Sequence, residues 1–302
     1  MNTFPLTRGM HLPRPRPAAA EPAGVLSRRR VAELEAKMWH SYRVLEAALT
    51  VTRRTHRVTA VVWLFSGGND SATLGHLFGR VNPSLTLAVH ANTGIGIEAT
   101  RVHVRQTCQD WNLPLLELHP PAGSTYRDLV LAEGFPAPAR HYLMYQRLKE
   151  RALHQARNLL VTDPRKERVI FLAGRRRTES LRRRKVPTWD RKGSIQWVSP
   201  LTTWTTADMN TYRARYPDLP RNEVADTLHM SGECLCGCFA KVGELDEIAY
   251  WYPEVRAEIA ELEAEVRAAG IPEPYCRWGW GADRRERGAR RIGQLCSSCT
   301  RR

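Results

Sequence analysis

Two hydrophobic patterns alternate along the middle of the chain. Short runs of consecutive apolar residues, rich in Val, Leu and Phe, are typical of strands buried on both faces of a parallel sheet. Between them, apolar residues recur at spacings of three and four, which predicts helices. This alternation predicts an α/β fold built on a doubly wound parallel sheet. The predicted strands are 58–65, 85–91, 115–118, 168–173 and 195–198, and the predicted helices are 27–56, 71–80, 98–111, 141–160, 206–216 and 253–269.

The same pattern divides the 302 residues into three parts. Residues 1–25 are rich in Pro and Arg, so we expect a disordered basic arm there. Residues 26–216 make up the predicted sheet domain, whose N-terminal helix carries an apolar stripe from Val31 to Leu49. Beyond this domain the strand patterns stop and Cys becomes frequent. Residues 217–302 are therefore predicted to form a Cys-rich extension of helices and loops.

The sequence also bears on location. The longest apolar run, Ala60 to Phe65, is much shorter than the roughly 20 residues that cross a bilayer. Residues 1–24 contain no apolar segment of the kind that secretory signals have. We therefore expect a cytoplasmic protein without a membrane partner.

The chain is strongly basic, with a net charge of +15 at pH 7. This charge favours a polyanionic partner, either a nucleic acid or a highly phosphorylated small molecule, although an Arg-rich genome is an alternative explanation. Basic residues are densest from Arg175 to Lys185, where seven occur. Arg binds phosphate oxygens bidentately, but seven exceed what one nucleotide needs. The surplus predicts contacts with a nucleic-acid backbone, with a solvated charged loop as the alternative.

One short loop has the features of a phosphate-binding site. The hexapeptide Ser66-Gly67-Gly68-Asn69-Asp70-Ser71 follows the first predicted strand and opens the next helix. Its glycines allow a sharp turn, and the unpaired N–H groups at a helix start attract anions. Ser66 and Ser71 add hydroxyl groups, and Asp70 is suited to hold the loop or to place Mg²⁺. A plain helix-capping turn is the alternative, but the complete hexapeptide in this context favours a phosphate site.

This hexapeptide resembles the Ser-Gly-Gly-x-Asp-Ser signature of the PP-loop ATP pyrophosphatases. That superfamily includes the phosphoadenosine phosphosulfate (PAPS) reductases. The resemblance implies that the chain binds ATP with Mg²⁺ and cleaves it between the α and β phosphates. Asn69 stands where the sulfur-handling branches commonly have Lys, so this position offers no lysine contact to phosphate.

Three further segments resemble the PAPS reductase branch, in the family's order along the chain. Residues 90–95 (His-Ala-Asn-Thr-Gly-Ile) are similar to the segment that lines the base and ribose, and residues 174–180 with Arg182 to the Gly-x-Arg-x-x-Glu-Ser segment that faces phosphate or sulfate. Residues 199–212 are similar to the Pro-Leu-x-x-Trp-x-x-x-Asp-x-x-x-Tyr segment. The resemblance implies catalytic roles for Asp70, Ser71 and Arg176. It implies nucleotide contacts for Ser66, Gly67, Gly68, Asp70, Ser71, Asn92, Thr93, Gly94, Gly174, Arg175, Arg176, Glu179 and Ser180.

Six of the seven cysteines lie in the C-terminal extension, and together they predict a metal site. They are Cys234, Cys236, Cys238, Cys276, Cys296 and Cys299. In a cytosolic chain such a cluster argues for metal rather than for disulfides. A tight triplet with a distant Cys-x-x-Cys pair favours a [4Fe–4S] cluster, whereas two Cys-x-x-Cys pairs would favour zinc. Structural Zn²⁺ stays the alternative.

The resemblance also favours the iron–sulfur cluster, because several PAPS reductase relatives carry one near the nucleotide site. We expect Cys296 and Cys299 as one pair of ligands, and Cys234 with Cys236 or Cys238 as the other. Cys276 is a further candidate ligand or a redox partner. The seventh cysteine, Cys108, lies in a helical pattern and is predicted to be a core thiol.

Three functions remain open on the sequence alone. The first is ATP-dependent activation coupled to sulfur transfer onto DNA or RNA, similar to DNA phosphorothioation and tRNA thiolation, with a cysteine desulfurase as sulfur donor. The second is a sulfonucleotide (PAPS or APS) reductase of sulfate assimilation, which is disfavoured because the chain has no Glu-Cys-Gly-x-His motif. The third is a non-catalytic nucleotide- and DNA-binding regulator, which the retention of Asp70 and Ser71 disfavours. A homo-oligomer is compatible with all three.

Overall fold

The computed structural model describes residues 26–180 and 183–282 of the chain. Its strands are β1 (Arg57–Leu64), β2 (Leu87–Ala91), β3 (Leu115–Leu118), β4 (Glu167–Leu172), β5 (Trp189–Lys192) and β6 (Ile195–Val198). Within the described residues they form one sheet in the order β3-β2-β1-β4-β6-β5. All neighbouring pairs are parallel except β5 and β6, which are antiparallel. The predicted doubly wound α/β fold is confirmed.

Helices cover both faces of this sheet. They are α1 (Arg28–Arg53), α2 (Asn69–His76), α3 (Glu98–Asp110), α4 (Tyr126–Glu133), α5 (His141–Tyr145), α6 (Arg151–Leu160), α7 (Thr206–Arg215), α8 (Glu223–Thr227), α9 (Glu244–Trp251) and α10 (Pro253–Ala268). A π-helical turn, Leu77–Val81, extends α2, and another, Gln146–Glu150, joins α5 to α6. In the described part of the chain, no helix is long and apolar enough to cross a membrane.

Successive side chains of a strand point to opposite faces of the sheet, and in this protein both faces are apolar. On one face, Val61 and Trp63 of β1 pack in a core with α1, α2, α3 and α7. On the other face, Ala60 and Val62 pack in a second core with α6. Because both faces are covered, the inner strands are apolar without alternation, and β4 is buried at every position.

Helix α1 is fixed to the sheet domain by polar contacts as well as by its apolar stripe. Ser41 Oγ donates to the carbonyl oxygen of Pro200 at 3.0 Å and accepts from Trp204 Nε1 at 3.0 Å. Arg30 donates to Asp208 at 3.0 Å, and Asp208 also closes a capping box with Thr205 at the start of α7. Pro200, Trp204 and Asp208 of segment 199–212 therefore attach α1 to the sheet domain.

A third apolar core joins the C-terminal region to the preceding domain. Residues of the loop after β2, of α4 and of the helix around Leu148 pack there against α9, α10 and the segment around Cys238. Cys276 and Trp278 belong to the same core. The described part of the region 217–302 thus packs on the sheet domain through a shared core.

Candidate nucleotide site and cysteine cluster

The candidate site lies at the carboxyl edge of the parallel sheet. β1 pairs with β2 on one side and with β4 on the other. Connections from β1 and β4 therefore leave in opposite directions, which opens a crevice at the strand ends. The hexapeptide 66–71 follows β1, the segment 92–94 follows β2, and the segment 174–180 follows β4. The fold brings together the three segments that the sequence assigned to the nucleotide.

Gly67 permits the turn that opens the loop. Its φ of +72° lies in the left-handed region, and a Cβ there would come 2.6 Å from Thr100 Cγ2. The carbonyl oxygen of Gly67 accepts a 2.9 Å hydrogen bond from Asn222 Nδ2, which also donates to Thr100 Oγ1 at 3.0 Å. The loop is therefore held from outside by Asn222, which immediately precedes α8.

The start of α2 presents backbone donors to the crevice. Gly68 is its N-cap and makes no side-chain capping bond. Ser71 Oγ donates to the Gly68 carbonyl oxygen at 2.8 Å and lies 3.2 Å from the hydroxyl of Ser66, which is exposed. Helix N-termini of this kind bind phosphate because their first N–H groups are unpaired and the helix dipole favours negative charge.

Arg176 and Asp70 form an ion pair at the edge of this loop. Arg176 Nε donates to Asp70 Oδ2 at 2.7 Å, and the two side chains are 10% and 20% exposed. Gly174 brings them together, since a Cβ there would lie 2.9 Å from the backbone carbonyl of Asp70 and 3.0 Å from the Ser71 nitrogen. The pair places a guanidinium beside the helix start, where it can complement phosphate charge.

Further along segment 174–180, Glu179 is hydrogen-bonded to Arg183. Burial raises the pKa of Glu179, and the nearby Arg183 lowers it. Arg175 donates to Ser199 Oγ at 2.9 Å, and its guanidinium lies over the Trp197 ring, 5.2 Å from the centroid. The side chains of Glu179 and Arg175 therefore contact other protein side chains at the rim of the crevice. Ser180 is buried, and Arg182 lies outside the described residues.

The polar side chains of the segment after β2 form hydrogen bonds within the protein. Asn92 is buried, donates to Glu117 at 2.7 Å and accepts from the Gly94 nitrogen at 3.0 Å. Thr93 is also buried, and its hydroxyl donates to the Glu233 carbonyl oxygen at 2.6 Å. These side chains shape the loop through protein contacts, and Gly94 is its exposed residue.

The segment that carries the cysteine triplet is attached to this loop. Ile97 donates its backbone N–H to Gly232 at 2.9 Å, and Leu235 donates to Ile95 at 2.8 Å. Between them, Gly96 approaches so closely that a Cβ would lie 2.5 Å from the Glu233 carbonyl oxygen. The residues before Cys234 therefore lie against the loop after β2, and Ser231 lies beside Gly68 of the phosphate loop.

Glu233 anchors the same segment in the core. It is 1% exposed and accepts the Thr93 backbone N–H at 2.9 Å. Its Oε2 lies 2.9 Å from Nε2 of the fully buried His90. His90 Nδ1 faces the carbonyl oxygen of Phe65 at 2.7 Å, so Nδ1 carries a proton. Glu233 and His90 thus form a buried pair at ion-pair distance, without a well-aligned hydrogen bond between Oε2 and Nε2.

The three thiols of the triplet lie side by side. Cys234 is hydrogen-bonded to Cys236, and Cys236 to Cys238. The bond to Cys236 and burial hold the pKa of Cys234 well above its usual value. Lys149, on the π-helical turn 146–150, faces this row: burial lowers its pKa, but the nearby Cys234, Glu233 and Cys236 raise it overall. A partly buried cation therefore lies near the sulfur atoms of the triplet.

The remaining cysteines are distributed differently. Cys276 is buried among Glu273 and Arg267 rather than in the triplet's hydrogen-bonded row, and burial raises its pKa. Cys296 and Cys299 lie outside the described residues. Within the described ranges no group of three or more His, Cys, Asp or Glu residues has the arrangement of a metal site. The triplet supplies soft donors of the right chemistry, but a complete ligand set is not present among these residues. Cys108, as predicted, is a buried core thiol.

Three residues of the site carry no signal that sequence reasoning used. Lys149 lies within an ordinary helical pattern, Asn222 in a stretch interpreted as a loop, and Glu233 beside a cysteine. The π-helical turn that exposes Lys149 to the thiols has no sequence signature. The position of Glu233 directly before Cys234 could have indicated its role, since an acid that is buried beside a thiol needs a polar partner.

Comparison with known families agrees with this geometry. The model of the phosphoadenosine phosphosulfate reductase domain matches residues 60–244, which is more than half of the chain. The chain belongs to this family. It is therefore a PP-loop protein of a family of nucleotide-binding enzymes. A comparison with curated proteins finds no match.

Several solved structures are similar to part of the chain. PAPS reductase from Candida auris has 16% identity, with 60% of this chain and 82% of that chain covered and a TM-score of 0.43. FMN adenylyltransferase from Candida glabrata has 13% identity and a TM-score of 0.46, with 65% of this chain covered. The chain spans only 61% of that adenylyltransferase. NH3-dependent NAD synthetase from Campylobacter jejuni has 15% identity, 78% and 98% coverage, and a TM-score of 0.44.

Proposed function

We propose that this protein cleaves ATP to AMP and pyrophosphate and uses the activation for sulfur transfer onto a nucleic acid. One observation carries the proposal: the segment with the cysteine triplet is hydrogen-bonded to the loop after β2, and its Ser231 lies against Gly68 of the phosphate loop. Nucleotide chemistry and sulfur chemistry would then occur in one site.

In this proposal the hexapeptide 66–71 binds the β and γ phosphates. The N–H groups at the start of α2 and the hydroxyls of Ser66 and Ser71 are the donors. Arg176 lies where negative charge develops on the departing pyrophosphate, and such preorganised cations stabilise that charge. Asp70 orients Arg176 and takes a Mg²⁺ ion through its free oxygen.

The reaction would proceed in two displacements. An oxygen of the acceptor attacks the α phosphorus, forming an adenylylated acceptor and releasing pyrophosphate. Hydrosulfide from a sulfide donor then attacks the acceptor carbon, and AMP leaves with the oxygen. A carbon–sulfur bond replaces a carbon–oxygen bond, and no net electron transfer occurs. Lys149 would hold the anionic sulfur near the crevice, since it faces Cys234 and Cys236.

We further propose that the C-terminal cysteines bind a [4Fe–4S] cluster, with Zn²⁺ as the alternative. Cys234, Cys236 and Cys238 would provide ligands, completed by Cys276, Cys296 or Cys299. A cluster bound there would supply a soft site for sulfide. The position of the triplet supports this, because Cys238 is buried in an apolar core and Cys234 and Cys236 are partly buried against it, and an apolar shell limits solvent access to a metal site.

The acceptor is proposed to be DNA or RNA because the chain is strongly basic and the rim of the crevice carries Arg175, Arg183 and Lys185. A cysteine desulfurase together with a thiol reductant would be the sulfide source, because the enzyme's persulfide releases hydrosulfide only when a thiol supplies two electrons and is itself oxidised to a disulfide. The test uses anaerobically purified protein with ATP, Mg²⁺, radiolabelled sulfide and either tRNA or DNA. ATP-dependent label in the nucleic acid, retained by Cys108→Ala and lost by Cys236→Ser, is the expected result. Release of sulfite from PAPS without label in the nucleic acid would show a reductase instead.

A further inference from the structure

The outer edge of the sheet is a short polar strand, β5, which is exposed at all four positions. It pairs only with β6 among the described strands. Trp189 lies opposite Val198, and Arg191 lies opposite Gln196. Val198 belongs to the core under α1, so Trp189 and Arg191 lie on the α1 side of the sheet. Asp190, the acid of this strand, lies on the other side.

One end of β5 meets the rim of the nucleotide crevice. The Thr188 carbonyl oxygen accepts the Ser199 N–H at 2.7 Å, and Arg177 Nε donates to the Val186 carbonyl oxygen at 3.0 Å. These bonds hold the stretch before β5 against segment 174–180. That stretch contains Arg184 and Lys185, both exposed. Positive charge thus continues from the crevice to the start of the edge strand.

A second basic surface lies at the amino ends of the parallel strands, the edge of the sheet at which β5 ends. A cleft of about 540 Å³ lies between the end of α1 and the start of β4. Its basic lining residues are Arg53, Arg54, His56, Arg57, Arg165 and Lys166. Burial, Arg168 and Arg191 lower the pKa of His56, which lies in this cleft.

Acidic groups neutralise only part of this cleft. Glu167 is paired with Arg57, and Asp163 lies 3.9 Å from Lys166. Arg53 and Arg54 are exposed at the end of α1, and within the described part of the chain they form no ion pair. The cleft therefore keeps a positive excess that faces solvent.

We propose that Arg184, Lys185, Trp189, Arg191, Arg53 and Arg54 form a track that binds single-stranded nucleic acid and leads it to the nucleotide site. This rests on the proposed function, in which nucleic acid is the sulfur acceptor. Spaced cations match a phosphate backbone, and an exposed aromatic ring stacks on bases of any sequence. Trp189, which is 43% exposed, lies on the same side of β5 as Arg191. These features favour a single strand over a duplex.

The test measures the affinity of the full chain for an oligonucleotide of about 20 thymidines as a function of salt. Arg53→Glu/Arg54→Glu is compared with Arg28→Glu/Arg43→Glu, which makes the same charge change at exposed arginines of the same helix. Trp189→Ala is compared with Trp39→Ala, since Trp39 is exposed on α1. ATP turnover without nucleic acid and thermal unfolding are measured for every variant.

Arg53→Glu/Arg54→Glu is expected to weaken binding about tenfold or more and to reduce the slope of log K against log salt by about 1.4, or about 0.7 per lost phosphate contact. Trp189→Ala is expected to weaken binding about fivefold or more. Both controls stay within about twofold of the wild type. An equal loss in Arg28→Glu/Arg43→Glu overturns the track, because only net charge would then matter. Absence of oligonucleotide binding in a wild type that still releases pyrophosphate overturns the track and leaves the nucleotide chemistry standing.

Discussion

The buried pair of Glu233 and His90 gives a prediction that distinguishes the loss of polar partners from the loss of the carboxylate charge. Glu233→Ala removes the acceptor of the Thr93 N–H and the partner of His90 Nε2, both inside the core. Each buried group left without a partner costs about 1–3 kcal/mol, so we expect a loss of about 3–5 kcal/mol. Glu233→Gln keeps the acceptor for Thr93, and its amide can donate to a neutral His90. Its cost should be about 1 kcal/mol.

Guanidinium chloride unfolding measures these free energies, and Glu265→Ala is the control. Glu265 pairs with Arg127 on the surface, where such pairs contribute about 0–1 kcal/mol. Glu233 also precedes Cys234, so Glu233→Ala should speed thiol labelling of the triplet, whereas Glu265→Ala should not. The reasoning is refuted if Glu233→Gln destabilises the protein as much as Glu233→Ala, or if Glu233→Ala costs less than about 1 kcal/mol.

Two further predictions concern the nucleotide side of the site. Gly174→Ala would place a methyl group 2.9 Å from the Asp70 backbone, with an overpacking cost of about 1–3 kcal/mol. We therefore expect the affinity for ATP, measured by isothermal titration, to fall about tenfold or more. An affinity equal to that of the wild type would contradict the close approach of Gly174 to Asp70. The Arg105 hydrogen bonds lower the pKa of Glu117 to about 2, so its stabilisation is present above its usual pKa and is lost as pH falls towards 2. Glu117→Gln should therefore be less stable than the wild type at pH 7, with the gap closing towards pH 2 in denaturant titrations; a gap independent of pH would contradict this.

The fold could be predicted where local patterns carry it. The inner strands β1 and β4 are continuous apolar runs because both faces of the sheet are covered. The hexapeptide 66–71 could also be read directly, since its glycines are dictated by the turn. By contrast, β5 was missed because a fully exposed edge strand has no apolar periodicity.

Only those residues of the site that belong to contiguous sequence motifs could be predicted. Asn222 contacts Gly67 across a long stretch of sequence, and Lys149 meets Cys234 through a π-helical turn that no pattern announces. Such contacts depend on the tertiary arrangement of elements far apart in the chain. The side chains of Asn92 and Thr93 were expected at the nucleotide, and the structure uses their polar atoms to hold the loop.

The products of ATP turnover test the central claim most directly. Purified protein is incubated with Mg²⁺ and ATP labelled in the α and γ phosphates, together with Asp70→Asn and the exposed control Asp110→Asn. The account predicts AMP and pyrophosphate from the wild type and the control, and at least about tenfold less from Asp70→Asn, which loses a charge-assisted bond to Arg176. ADP with phosphate as products, or full activity in Asp70→Asn, would contradict it.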